Sequence, residues 1–238
     1  IEKFLVLRQE QKQHQEATLS DEVKDKLENM TEEQKWAYLY EKYPHLIDIK
    51  LPTGILVDYA LYYSQNPQTI GYLKIDGTKV DTPVVQADNN KYYLNHDFYG
   101  KSTSYGAIYA SYKNSFQPFD RNTLLYGHNM NDGSRFADLL NYRNLEFYKK
   151  HPIITFDTLY RDGKWKIFAV LVTNSTPNEN NGYVFDYRKT DFSSDEQFLY
   201  WVNEVKKRSI INTTVQVDKD DEILTLQTCT YEFNNARY

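Results

Sequence analysis

From Ile1 to about Gln68 apolar residues recur at spacings of three and four among Glu, Lys and Gln, with few glycines, and this period predicts helices. In NMTEEQKWAYLYEKYP, Thr31 and Gln34 stand at the spacing of a capping box. Trp36, Leu39 and Tyr40 share one apolar face there, and Pro44 ends the helix. The period then shortens. YLKIDGTKVDTPVVQ (72–86) alternates β-branched and polar residues around an Asp76-Gly77 hairpin turn. Strands are expected again at GAIYASY (106–112), NTLLYGH (122–128), PIITFDTLY (152–160), KWKIFAVLVT (164–173), NTTVQV (212–217) and EILTLQTC (222–229). Repeated short strands of this kind predict a barrel or a sandwich. Two stretches interrupt them with helical spacing. SRFADLLNYRNLEFYKKH (134–151) reads as one or two short helices, and SSDEQFLYWVNEVKKRS (193–209) as a longer one. Ser194 caps the longer helix, Asp195 and Glu196 suit its positive end, and Lys206 to Arg208 suit its negative end. Between them, 173–192 is a long polar connection, of a length that is uncommon unless the loop is functional or disordered. The expected division is a helical region, 1–68, and a β domain, 69–238.

Composition narrows the function classes. The 238 residues are 40% hydrophobic and 16% aromatic, enough for a packed core. The net charge of −5 comes from 28 basic and 33 acidic residues mixed along the chain, so no basic footprint for nucleic acid is present. A single cysteine excludes an intrachain disulfide. No spacing of thiols and histidines suits zinc, and no carboxylate cluster suits calcium, so neither a metal nor another cofactor is expected. No window reaches the roughly 20 apolar residues that span a bilayer. Because the chain opens on Ile1, an upstream signal or anchor is expected to have preceded it.

The candidate chemistry centres on that cysteine. A nucleophilic thiol needs a cation or base nearby and a donor for the developing oxyanion. In EILTLQTC, strand alternation sets Ile223, Thr225, Gln227 and Cys229 on one face and Leu224, Leu226 and Thr228 on the other. The leucines are expected to claim the core, leaving Cys229 among polar groups. Of the five histidines, His14 lies among Gln and Glu on a helix, His45 and His151 adjoin prolines at helix ends, and His96 has an acidic neighbour. His128 is different, since it stands where an apolar strand stops before a turn of Asn, Asp and Gly, the kind of place where functional groups concentrate. Eight residues after Cys229 comes Arg237, whose guanidinium can steady a thiolate or an oxyanion. Spacing alone leaves a structural thiol and a surface arginine as open alternatives.

YGHNM, then about a hundred residues, then TLQTC with an arginine eight positions on resembles the sortase family, whose signature is TLxTC followed by a short segment and Arg. The resemblance is to class B. It extends over the helical N-terminal region, GTKVDTPVVQADNNKYYLNHDFYG, GAIYASY, YGHNMNDGSRFADL and the long helix between the last strands. It implies an eight-stranded sortase-type β-barrel with N-terminal helices and a long helix inserted between the late strands. It implies Cys229 as nucleophile, His128 as acid and base, and Arg237 as the group that steadies the substrate carbonyl. The reaction implied is cysteine transpeptidation: cleavage of a surface protein's sorting signal after Thr, a thioacyl enzyme, and transfer to a peptidoglycan precursor amine. The signal peptide would be NPQTN-like or PxTG-like. ADNNKYYL resembles the segment that supplies groove residues, which points to Asn90 and Leu94; the 173–192 loop points to Tyr183. Gln227 and Thr228 flank the nucleophile, Gln227 standing where many class B members carry Ser. The implied setting is the outer face of a Gram-positive membrane, held by an anchor upstream of this chain. A cysteine peptidase hydrolysing the same signal and a non-catalytic peptide-binding module are the alternatives to be separated.

Overall fold

A computed structural model describes residues 21–174, 185–229 and 236–238. The N-terminal layer comprises α1 (Asp21–Leu27), α2 (Glu32–Lys42) and α3 (Ala60–Gln65), with single-turn 3-10 helices at Pro44–Asp48 and Val57–Tyr59. The capping box of α2 forms as its sequence predicts: the Gln34 amide donates to the Thr31 hydroxyl, and the Thr31 amide to the Gln34 side chain. These helices bury a small core of their own around Val23, Leu27, Leu39, Leu46 and Leu61. They dock on the β region through Ile55, Tyr59 and Tyr62, which pack with Val85, Tyr93 and Tyr109.

The strands are β1 (Thr69–Lys74), β2 (Asp81–Val85), β3 (Tyr109–Ala110), β4 (Asn122–Tyr126), β5 (Ile153–Thr158), β6 (Lys164–Lys166), β7 (Thr173–Asn174), β8 (Ile223–Gln227) and β9 (Ala236–Arg237). Among the described residues seven of them form one sheet in the order β6-β5-β1-β2-β3-β4-β8, and β7 pairs with β9 separately. At about 4.8 Å per strand a flat sheet of seven would be roughly 29 Å wide. Yet Trp165 on β6 and Leu224 and Leu226 on β8 pack against one cluster with Leu73, Val84, Leu125 and Phe156. The sheet is therefore curled into a nearly closed barrel around a single core.

The strand inventory differs from the expected eight in one region. Of 164–173 only the two ends pair, and 212–217 joins no ladder. The reason is where that backbone bonds. The Val170 amide donates to the Ser209 hydroxyl, the Ile210 amide to the Val170 carbonyl, and the Thr213 hydroxyl to the Phe168 carbonyl. Segment 167–172 is thus held by the connection that follows the long helix, and the barrel stays open between β6 and β8. A cavity of about 440 Å³ occupies that seam. The helical expectations for 134–151 resolve as a 3-10 helix, Ala137–Arg143, and α4 (Leu145–Lys150). The longer helix is α5 (Asp195–Lys207), between β7 and β8; Ser194 caps it by accepting from the Gln197 amide. Its buried face, Phe198, Trp201, Val202 and Val205, covers Ile223.

Candidate active site

β4 and β8 are parallel, and their register ends at Tyr126 beside Gln227, with the Gly127 amide donating to the Gln227 carbonyl at 3.2 Å. Two residues further along each strand lie His128 and Cys229. Residues in register on parallel neighbours share a face, about 4.8 Å apart at the backbone, so the imidazole and the thiol leave the sheet on the same side. Cys229 in turn forms an antiparallel bridge with Arg237, and Thr228 and Tyr238 exchange amide-to-carbonyl bonds of 2.8 and 3.0 Å. Opposed antiparallel residues also share a face. The three side chains therefore stand in a row, His128, Cys229, Arg237, from three backbone segments. On its far side β9 pairs with β7, Thr173 against Arg237, which anchors the guanidinium's backbone twice.

His128 is oriented by a backbone group. Its Nε2 lies 2.8 Å from the Leu94 carbonyl, which can only accept, so Nε2 carries a proton whether the ring is neutral or charged. Nδ1 is the ring nitrogen that this bond does not engage. The chain reaches this position over Gly127, where a Cβ would come within 2.8 Å of the Phe136 ring. The orienting group is a carbonyl of the 3-10 turn Tyr92–Leu94, which the sequence cannot display.

Beside the thiol, the buried Tyr187 donates its hydroxyl to Oε1 of Gln227 at 2.8 Å. Burial pushes the Tyr187 phenol up to about 12, partly offset by Arg188 and Arg237, so the hydroxyl keeps its proton and remains a donor at neutral pH. With Oε1 engaged, the Gln227 carboxamide offers its N–H groups away from Tyr187. Burial also raises the phenols of Tyr109 and Tyr126, whose rings pack with centroids 5.3 Å apart. Thr225 donates to the Asn122 side chain at 2.7 Å. The face of β8 that carries Cys229 is polar at its end but not throughout, because Ile223 at its start is buried under α5. The leucines do pack inward as expected.

The remaining candidates fall in different places. Asn90 accepts from the Tyr112 amide at 2.9 Å through its carboxamide oxygen, and its carbonyl accepts from the Tyr109 hydroxyl. Leu94 packs its side chain against the aromatic cluster and gives its carbonyl to His128. Thr228 is corrected: its side chain is 1% exposed and points inward with the leucines, so it is closed to a peptide in the groove. Tyr183 lies outside the described residues, as does His14. His96 stacks on Tyr92 at 4.1 Å, and His151 is the C-cap of α4. Sequence reasoning missed Tyr187, the Leu94 carbonyl and Asn129, whose Nδ2 donates to the Cys229 carbonyl at 3.0 Å. Only Asn129 carried a signal, its place in HNM.

Comparison with known proteins agrees with this geometry. A family model described as a sortase domain matches residues 73–238. Sortase B of Listeria monocytogenes is 35% identical over 167 residues, 70% of this chain and 65% of that protein. Sortase B of Staphylococcus aureus is 35% identical over 164 residues, 69% of this chain and 64% of that protein. The chain thus spans just under two thirds of the length of these curated relatives. The solved Staphylococcus aureus sortase B–substrate complex superposes with a TM-score of 0.70 at 30% identity, covering 86% of this chain and 88% of that one.

Proposed function

Because this chain belongs to the sortase family, we propose that it is a class B cysteine transpeptidase that joins surface proteins to an amine of the cell wall. The observation that carries the reading is the row His128, Cys229, Arg237 on one face at the end of the β4–β8 ladder. In the proposed reaction the Cys229 thiolate attacks the carbonyl carbon of the Thr in a sorting signal, and the Arg237 guanidinium donates to the oxyanion. The C–N bond then breaks, His128 gives its Nδ1 proton to the departing amine, and a thioester remains. An incoming amine loses a proton to Nδ1, attacks the thioester carbonyl and releases the thiolate. Atoms and charge balance without a metal or a redox partner.

Gln227, Asn90 and Leu94 are proposed to line the peptide groove, Gln227 through amide donors aimed by Tyr187. The solved Staphylococcus aureus sortase B–substrate complex supports substrate binding by a protein of this fold. The signal is proposed to be NPQTN-like or PxTG-like, the acceptor a peptidoglycan precursor amine, and the setting the outer face of a Gram-positive membrane, reached through an anchor upstream of the chain. Among the described residues no helix is long and apolar enough to cross a membrane.

The test is incubation with NPQTN-like and PxTG-like peptides, with and without a peptidoglycan-type amine, read by product mass. A ligated product that requires the amine, Cys229 and His128 is expected. Hydrolysis alone in the presence of saturating amine would make the protein a peptidase, and cleavage of no peptide by a folded protein would make it a binding module.

A further inference from the structure

Hydrogen bonds along the β4–β8 ladder follow the parallel pattern. The Ile223 amide donates to the Arg121 carbonyl at one end, and the Gly127 amide to the Gln227 carbonyl at the other. In this pattern each successive bond from β4 to β8 comes two residues later on both strands. The next bond would run from the Asn129 amide to the Cys229 carbonyl. Instead, that carbonyl receives the Asn129 side-chain Nδ2, at 3.0 Å across 100 residues of sequence. The carboxamide stands where the backbone donor of the same residue would have been.

The substitution frees the backbone for a different task. Asn129 bridges Arg135 in a tight antiparallel turn, and the Phe136 amide donates to the His128 carbonyl at 2.9 Å. The turn is braced from within and without. Ser134 donates twice to the Asp132 carboxylate, the Lys79 ammonium donates to the Asp132 carbonyl, and the Arg135 Nε donates to the Tyr105 carbonyl. Asn129 therefore projects its side chain from a fixed base. His128 sits at the point where the chain leaves β4 for this turn, and Cys229 sits where β8 leaves β4 for its bridge to Arg237. The two reacting side chains would diverge there unless something joined their backbones.

We infer that Asn129 is a positioning residue that completes the β4–β8 ladder with its side chain and so sets the distance between His128 and Cys229. The inference rests on the transpeptidase reading for its turnover readout, but not for its chemical one. Its consequence is kinetic: through the Cys229 carbonyl the carboxamide fixes the approach of the thiol to Nδ1 of the imidazole.

The experiment compares the parent with Asn129→Ala and Asn129→Leu, the second keeping side-chain bulk without a donor. Three quantities are read: Tm, kcat and KM on a cleaved peptide, and the pH profile of Cys229 alkylation by iodoacetamide. Both variants are expected to lose about 10- to 100-fold in kcat, the scale of a misplacement near 1 Å, with KM within about 2-fold of the parent. The alkylation profile is expected to shift in both, because the thiol no longer meets the imidazole in one geometry. An unchanged alkylation profile in folded variants overturns the inference, as does an unchanged kcat per folded molecule. If the parent cleaves no peptide, the transpeptidase reading fails by itself, and the alkylation profile still decides the role of Asn129.

Discussion

The β1–β2–β5 wall and the β4–β8 end are built from the same kind of strand but are held differently. In the wall, β1 pairs with β5 over consecutive residues and with β2 over most of its length, with one bulge between Thr69 and Gly71, and the inward residues Leu73, Val84 and Phe156 are almost wholly buried. Its Asp157 carboxylate is satisfied from the N-terminal layer and from the turn between β5 and β6. Asp157 accepts the Tyr59 hydroxyl at 2.8 Å and the Gly163 amide at 2.7 Å. At the other end the ladder stops, and single contacts take over: the Leu94 carbonyl on His128, Asn129 on the Cys229 carbonyl, Tyr187 on Gln227, and one bridge to Arg237. Regular pairing fixes strands to one another but satisfies their backbone groups completely. A reactive row needs side chains clear of the ladder, and isolated bonds can hold them there.

If that contrast is right, damage to the two regions should separate activity from stability. Cys229→Ala should lower peptide turnover by about 10³-fold or more while leaving Tm close to the parent, since the thiol is only half-buried. A Tm loss as severe as a core deletion would place Cys229 in the structural half of the molecule. Gly71→Ala should do the opposite. A Cβ at Gly71 would fall 2.1 Å from the Asp157 carbonyl oxygen, between two paired strands. Denaturant unfolding is expected to show a loss of about 3 kcal/mol, with kcat per folded molecule retained; equal stability would mean the wall yields more easily than its pairing suggests.

Tyr187→Phe should act on recognition. Losing one hydrogen bond to Gln227 is expected to raise KM several-fold, a cost of about 1 kcal/mol, with kcat nearly unchanged, and steady-state kinetics on one peptide would show whether kcat falls instead. The smallest effect is expected at Asp132. Burial raises its carboxyl, but hydrogen bonds from Ser134 and then Tyr105, together with the nearby Lys79 charge, outweigh it and hold the group below the usual carboxylate range. A depressed folded value means that the carboxylate's contribution is present above about pH 4 and is lost as pH falls through the folded value. The Tm gap between the parent and Asp132→Asn should therefore narrow on acidification from neutral pH to pH 3. A constant gap would assign it to packing.

What the sequence revealed divides along the same line. The hairpin at Asp76-Gly77, the capping box of Thr31 and Gln34 and the cap of α5 were legible because periodicity and capping chemistry are local. Cys229, His128 and Arg237 were legible as a motif, and the structure brings them to one face. Thr228 was misplaced in the groove although strand alternation already set it with Leu224 and Leu226, and that alternation prevailed. The run KWKIFAVLVT has strand composition along its whole length, yet its middle is claimed by Ser209, Ile210 and Thr213 from beyond α5. Such partners are set by tertiary packing, which propensity does not encode.

A parallel ladder also has a consequence for how this chain can be altered. The partners in β4 and β8 recognise one another by register, and nothing in that register depends on what connects them. The connection already carries a 3-10 turn, α4, β5 to β7 and the whole of α5. Each doubling of a flexible connection costs only about 0.6 kcal/mol in closure entropy. An insertion in an exposed part of that stretch should therefore leave the spacing of His128 and Cys229 intact, making it a natural port for fused cargo or new specificity elements.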